Sequence, residues 1–77
     1  MKAQEMFEQL GYVIRQHKFE NVWIDYENEE KEAVITFLLD TKTFFKSELT
    51  DEDVYLPITI GELKAINQQC KELGWIE

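Results

Sequence analysis

The segment Ala33-Val34-Ile35-Thr36-Phe37-Leu38-Leu39 has one polar side chain in seven positions. It is far shorter than the roughly 20 residues of a membrane span. Its β-branched and aromatic content suits a strand. As a strand it sets Ala33, Ile35, Phe37 and Leu39 on one side and Val34, Thr36 and Leu38 on the other. Both sides are apolar, whereas an antiparallel sheet with one wet face alternates apolar and polar. Any fold built around this strand must therefore account for both of its faces.

The flanking sequence predicts a small α+β domain. Ala3, Met6, Phe7 and Leu10 recur at i, i+3, i+4, i+7, a helical stripe over Lys2–Leu10 that Gly11 ends. The period then changes to two. Tyr12–His17 and Val22–Tyr26 are candidate strands joined by a turn over Lys18–Asn21. The acidic stretch Glu27–Glu32 reads as the next turn, and Asp40-Thr41-Lys42 as the one after it. Thr43–Glu48, with Phe44 and Phe45, is the fourth strand, and residues 49–56 form a loop in which Val54–Leu56 can add a short extended piece. Short connections between four sequential strands imply an antiparallel meander.

The last helix carries the clearest local signature. Thr59 and Glu62 form a Thr-x-x-Glu capping box, and Ile58 and Leu63 occupy the matching staple positions. The helix is expected over Ile60–Leu73, with Leu63, Ile66, Cys70 and Leu73 on its inner stripe, Gly74 as stop and Trp75 folded back on Cys70. Phe7–Val13 echoes Cys70–Ile76; two apolar-striped helices closed by glycine and an aromatic converge on such letters.

The order α-β-β-β-β-α predicts a four-stranded antiparallel meander with both helices on one face, as a single domain over residues 1–77. The other face then carries Trp23, Val34, Leu38 and one of the two phenylalanines, taken here as Phe44. Either the 49–56 loop folds across this cluster, or it stays an ordinary exposed patch, or it is an interface. The interface reading gives a homodimer or a docking site for a bacterial host protein, and a domain this small gains from association.

Sixteen acidic residues against eight basic ones leave a net charge of −8. That balance excludes direct binding to nucleic-acid phosphates and to anionic membrane surfaces. Glu27, Glu29, Glu30 and Glu32, and then Asp51, Glu52 and Asp53, make two acidic clusters. They read as a solubilising surface, or as a DNA mimic that occupies the basic groove of a nucleic-acid-binding host protein. Their spacing does not match a calcium loop. No metal-binding spacing and no glycine-rich phosphate loop is present, so no metal or cofactor is expected.

His17 is the only histidine and Cys70 the only cysteine. Cys70 lies on the apolar stripe of its helix, which suits packing better than nucleophilic chemistry. No second group is spaced to activate either residue, so no catalytic residues are assigned and a non-enzymatic role is expected. A single thiol forms no internal disulfide, and Met1–Met6 lacks the apolar run of a secretory signal, which points to a reducing cytoplasm.

The carboxy-terminal Ile58-Thr59, Glu62-Leu63, Ala65-Ile66-Asn67, Gln69 and Glu72-Leu73-Gly74-Trp75, with the amino-terminal Met6-Phe7-Glu8-Gln9-Leu10-Gly11-Tyr12, resemble the ends of small proteins encoded by phages and prophages of Gram-positive bacteria (Firmicutes). The resemblance covers the two helices, about a third of the chain. It implies an intracellular phage accessory protein and carries over no catalytic residue. The amides of Asn67, Gln68 and Gln69 are not demanded by helix formation; Asn67 or Gln68 is therefore a candidate partner contact.

Overall fold

The computed structural model describes residues 1–16 and 22–77. Helix α1 (Ala3–Gln9) leads into strands β1 (Val13–Gln16), β2 (Trp23–Asn28), β3 (Ala33–Leu38) and β4 (Thr43–Glu48), and helix α2 (Ile60–Glu72) closes the chain. The strands form one antiparallel sheet in sequential order, as the short connections require. Both helices pack on the same side of it, with α1 against α2 and against β1. The expected turn over Lys18–Asn21, and His17 with it, lie outside the described residues.

Each helix ends on the closure its glycine permits. At α1, the Tyr12 N–H donates to Phe7 O and the Gly11 N–H to Glu8 O, with Gly11 at φ +95°. At α2, the Trp75 N–H donates to Cys70 O and the Gly74 N–H to Lys71 O, with Gly74 at φ +76°. The two sets of bonds are the same 6→1 and 5→2 pattern, which accounts for the echo between the two sequences. The α2 capping box is also formed. Thr59 Oγ1 accepts from the Glu62 N–H at 3.1 Å, and Glu62 Oε1 accepts from the Thr59 N–H at 2.9 Å.

The core between helices and sheet is aromatic. Phe7 stacks on Tyr26 with ring centres 4.0 Å apart and meets Tyr12 and Phe37 edge-on. Ile35, Ala65, Ile66 and Cys70 fill the remaining volume. The register fixes which side chains share this face. Ile24 is paired with Phe37, Tyr26 with Ile35, and Phe37 in turn with Phe44. Phe44 therefore belongs to the helix side, its ring 5.9 Å from that of Phe37, and Phe45 takes the opposite side; the assignment of Phe44 to the far cluster is corrected by this pairing.

Two further expectations shift. Strand β2 continues through Glu27 and Asn28, because Asn28 is buried and holds the next turn: its Oδ1 accepts from the Lys31 N–H and its Nδ2 donates to Leu10 O. The inner stripe of α2 is rotated by about one position. Leu63 is 49% exposed, while Glu62 and Gln69 are buried beside Ala65, Ile66 and Cys70.

Candidate functional site

Among the described residues nothing covers the far side of the sheet, and that side is not a flat patch. The alternation of β2, β3 and β4 sends Trp23, Val34, Leu38 and Phe45 to this side, with Asp25, Thr36 and Ser47 between them. The chain after β4 turns back along the sheet edge. The Glu48 N–H donates to Val54 O, the Leu56 N–H donates to Lys46 O, and Ser47 pairs with Tyr55. Tyr55 sets its ring edge-on to Phe45, with centres 5.7 Å apart. Leu49 and Glu52 thereby become a wall, and the side encloses a groove of about 400 Å³. That volume lies at the lower end of ligand sites, which run roughly 300–1,000 Å³.

The groove has a polarity along the strands. Trp23 and Leu38 are paired at one end, Glu27 and Val34 at the other. Four residue steps at about 3.3 Å each put these ends roughly 13 Å apart. The Trp23 end is apolar, with Phe45 beside Thr36 in the middle. The far end is lined by Glu27, Glu48 and Glu52. Thr36 Oγ1 donates to Asp25 Oδ1 at 2.8 Å, and Glu27 lies 3.8 Å from Arg15 Nε, an exposed pair of little energetic weight.

The structure also joins the two acidic clusters, which sequence position separates. Ala33, directly after the β2–β3 turn, pairs with Glu48, and the Leu49 N–H donates to Glu32 O. Glu27, Glu29, Glu30 and Glu32 thus share one end of the sheet with Glu48, Asp51, Glu52 and Asp53. These eight carboxylates against two cations, Lys31 and the Arg15 beside Glu27, leave −6 at this end out of the whole chain's −8. The acidic end and the acidic half of the groove are continuous through Glu27, Glu48 and Glu52.

Ser47 lines the groove, is fully buried, and its hydroxyl has no hydrogen-bond partner among the described residues. A buried polar atom left unpaired costs about 1–3 kcal/mol. Nothing in the composition pointed to Ser47; its position depends on the return of residues 54–56 along β4.

A second polar constellation lies on the helix side. Glu62 is 1% exposed and Lys46 9%. Lys46 Nζ donates to Glu62 Oε1 at 2.9 Å, to Oε2 at 3.1 Å and to Pro57 O at 3.0 Å. The Tyr12 hydroxyl donates to Glu62 Oε2 at 2.6 Å. Burial pushes the Glu62 carboxyl up, and the Thr59 amide, Tyr12 hydroxyl and Lys46 ammonium together outweigh it, leaving the group below its ordinary value. A fully bonded, closed pair of this kind fixes β4 to the start of α2; it presents no open face to a substrate.

The remaining candidates fall as follows. Burial raises the Cys70 thiol, which keeps it protonated at neutral pH. Gln69 is buried and accepts from the Tyr26 hydroxyl at 2.5 Å, so it is a core residue; Gln68 donates to Glu72, and Asn67 is exposed. Among the described residues no group of three or more His, Cys, Asp or Glu side chains is placed to hold a metal ion. No described helix is long and apolar enough to cross a membrane. No family model, curated protein or solved structure matches the chain.

Proposed function

We propose that the protein is a non-enzymatic interaction module that docks another protein on the far side of its sheet. The observation that carries this reading is the groove itself: an apolar floor of Trp23, Val34, Leu38 and Phe45, walled by a segment of the same chain and without a covering layer among the described residues. Aromatic anchors in a walled depression are the usual energetic centre of protein interfaces. The partner is a different protein. A second copy brings another −8, and the far side offers one described cation, Arg15, already beside Glu27. The resemblance of the chain ends to prophage-encoded proteins directs the search to cytoplasmic proteins of a bacterial host.

The test is affinity capture from such a lysate with the native protein, a Leu38→Asp variant and a Lys64→Ala control on the exposed surface of α2, each checked for fold by circular dichroism. A stoichiometric partner held by the native protein and the control, and lost by Leu38→Asp, supports the reading. A partner held equally by all three overturns it.

A second reading draws on the convergence of the acidic clusters. Carboxylates gathered at one rigid end suit a DNA mimic that occupies the basic groove of a nucleic-acid-binding host protein. In that case the captured protein releases from DNA when this protein is added, and Leu38→Asp leaves the competition intact.

A further inference from the structure

The groove and the acidic end are continuous, and their continuity specifies the chemistry of what docks there. Building on the docking reading above, we propose that the site is bipartite: it takes a cationic amphipathic peptide segment of the partner. A large apolar side chain seats between Trp23, Leu38 and Phe45, and a cluster of Lys or Arg side chains meets Glu27, Glu48 and Glu52.

Three independent observations support that occupant. First, charge is segregated along the groove, so a segment of uniform character fits only half of it: an all-apolar segment strands the carboxylate end, and an all-basic one leaves the Trp23 end wet. Second, the strand register sets the distance between the two halves at roughly 13 Å, the reach of about four residues of extended chain. Third, the Ser47 hydroxyl, fully buried and without a hydrogen-bond partner among the described residues, lies at the carboxylate end of the groove, cross-strand from Val34. A peptide carries donors and acceptors along its whole backbone and can satisfy this hydroxyl after a small movement of the wall; a purely aliphatic ligand cannot.

The net charge of −6 at the acidic end adds a kinetic expectation. Long-range attraction accelerates encounter with a cationic segment, and added salt slows it. A neutral or acidic partner lacks that dependence.

The experiment uses the full chain and a defined probe: a fluorescein-labelled peptide with Phe and Leu at alternate positions followed by four lysines. The controls are the lysine tract alone and the same peptide with the lysines replaced by serine. Binding is read by anisotropy, and the site by backbone amide shifts. The inference predicts that the bipartite peptide binds at least tenfold more tightly than either half and shifts amides of β2, β3, β4 and residues 49–52. The combined Glu27→Gln, Glu48→Gln, Glu52→Gln variant is expected to weaken it about tenfold and to flatten its salt dependence. A salt titration of the native protein reads the same electrostatic contribution without any substitution. Equal binding by the lysine tract alone overturns the inference in favour of an acidic patch only. Absence of binding, or shifts confined to the helices, overturns it outright.

The outcome also separates this inference from the docking reading beneath it. A host partner lost with Leu38→Asp, yet retained by the triple glutamine variant and insensitive to salt, leaves docking standing and removes the cationic segment. A partner retained by every variant removes both.

Discussion

Replacing Glu62 by Gln tests the polar joint between β4 and α2. The amide keeps the volume and can still cap Thr59 or accept from Tyr12, but it removes the charge that faces Lys46 Nζ at 2.9 Å and 3.1 Å. Lys46 is 9% exposed and keeps one other acceptor, Pro57 O. Breaking a buried pair from one side costs about 3–5 kcal/mol, because a charge is left without its counterpart. The retained bonds place this case at the lower end, about 3 kcal/mol. A chain of this length has on the order of 4–12 kcal/mol of total stability. The variant therefore loses a quarter or more of it, and the midpoint of thermal unfolding falls by about 12–24 °C. Urea unfolding followed by circular dichroism measures the loss, and a cycle with Lys46→Met and the double variant isolates the coupling. The double variant is expected to recover about 1–3 kcal/mol of the summed single losses. The acid limb gives an independent reading. The Glu62 carboxyl is held below 4.5 in the fold, so its contribution is complete above pH 4.5 and is lost as the pH falls through the lower folded value; Glu62→Gln flattens that limb. A cost under 1 kcal/mol with additive single losses refutes the reasoning, since that is the behaviour of an exposed pair.

Three further outcomes are expected. Burial, with Glu72 and Glu8 nearby, pushes the Tyr26 hydroxyl up to about 12 from 10.0, and burial with the Glu62 hydrogen bond raises Tyr12 too. Both ionise more readily when unfolded, so stability is complete below pH 10 and declines as the pH rises towards 12; Tyr26→Phe makes that decline shallower in alkaline melts. Gly74→Ala costs about 1 kcal/mol, for the left-handed backbone alone, because nothing lies within 4 Å of the added carbon; Gly11→Ala costs more in the same urea assay, since its carbon meets Asn28 Nδ2 at 3.1 Å. Ser47→Ala removes an unpaired buried hydroxyl and raises stability by about 1 kcal/mol while weakening peptide binding, and a loss of stability contradicts the unpaired assignment.

The elements that the sequence made legible are those written in local chemistry. The Thr59–Glu62 box located the start of α2, Gly11 and Gly74 located both helix ends, and the apolar run from Ala33 located the central strand. What remained hidden depends on pairing between distant segments. Thr43-Phe44-Phe45-Lys46 alternates equally well in either phase, and only the pairing of Phe37 with Phe44 assigns Phe45 to the groove. Glu62 was legible as a cap but not as the buried partner of Lys46, and that burial turned the inner stripe of α2 away from Leu63. The two acidic clusters read as separate surfaces until Ala33 and Glu48 are set side by side.

The central claim is that the helices cover one side of the sheet and the other side stays open to a partner. Relaxation of methyl signals by a small soluble nitroxide measures this in the free protein over a dilution series. The account predicts that Val34 and Leu38 methyls broaden at every concentration, that Ile35 and Ile66 do not, and that the cationic peptide protects Val34 and Leu38 alone. Protection of Val34 and Leu38 in the dilute free protein, equal to that of Ile35 and Ile66, contradicts it.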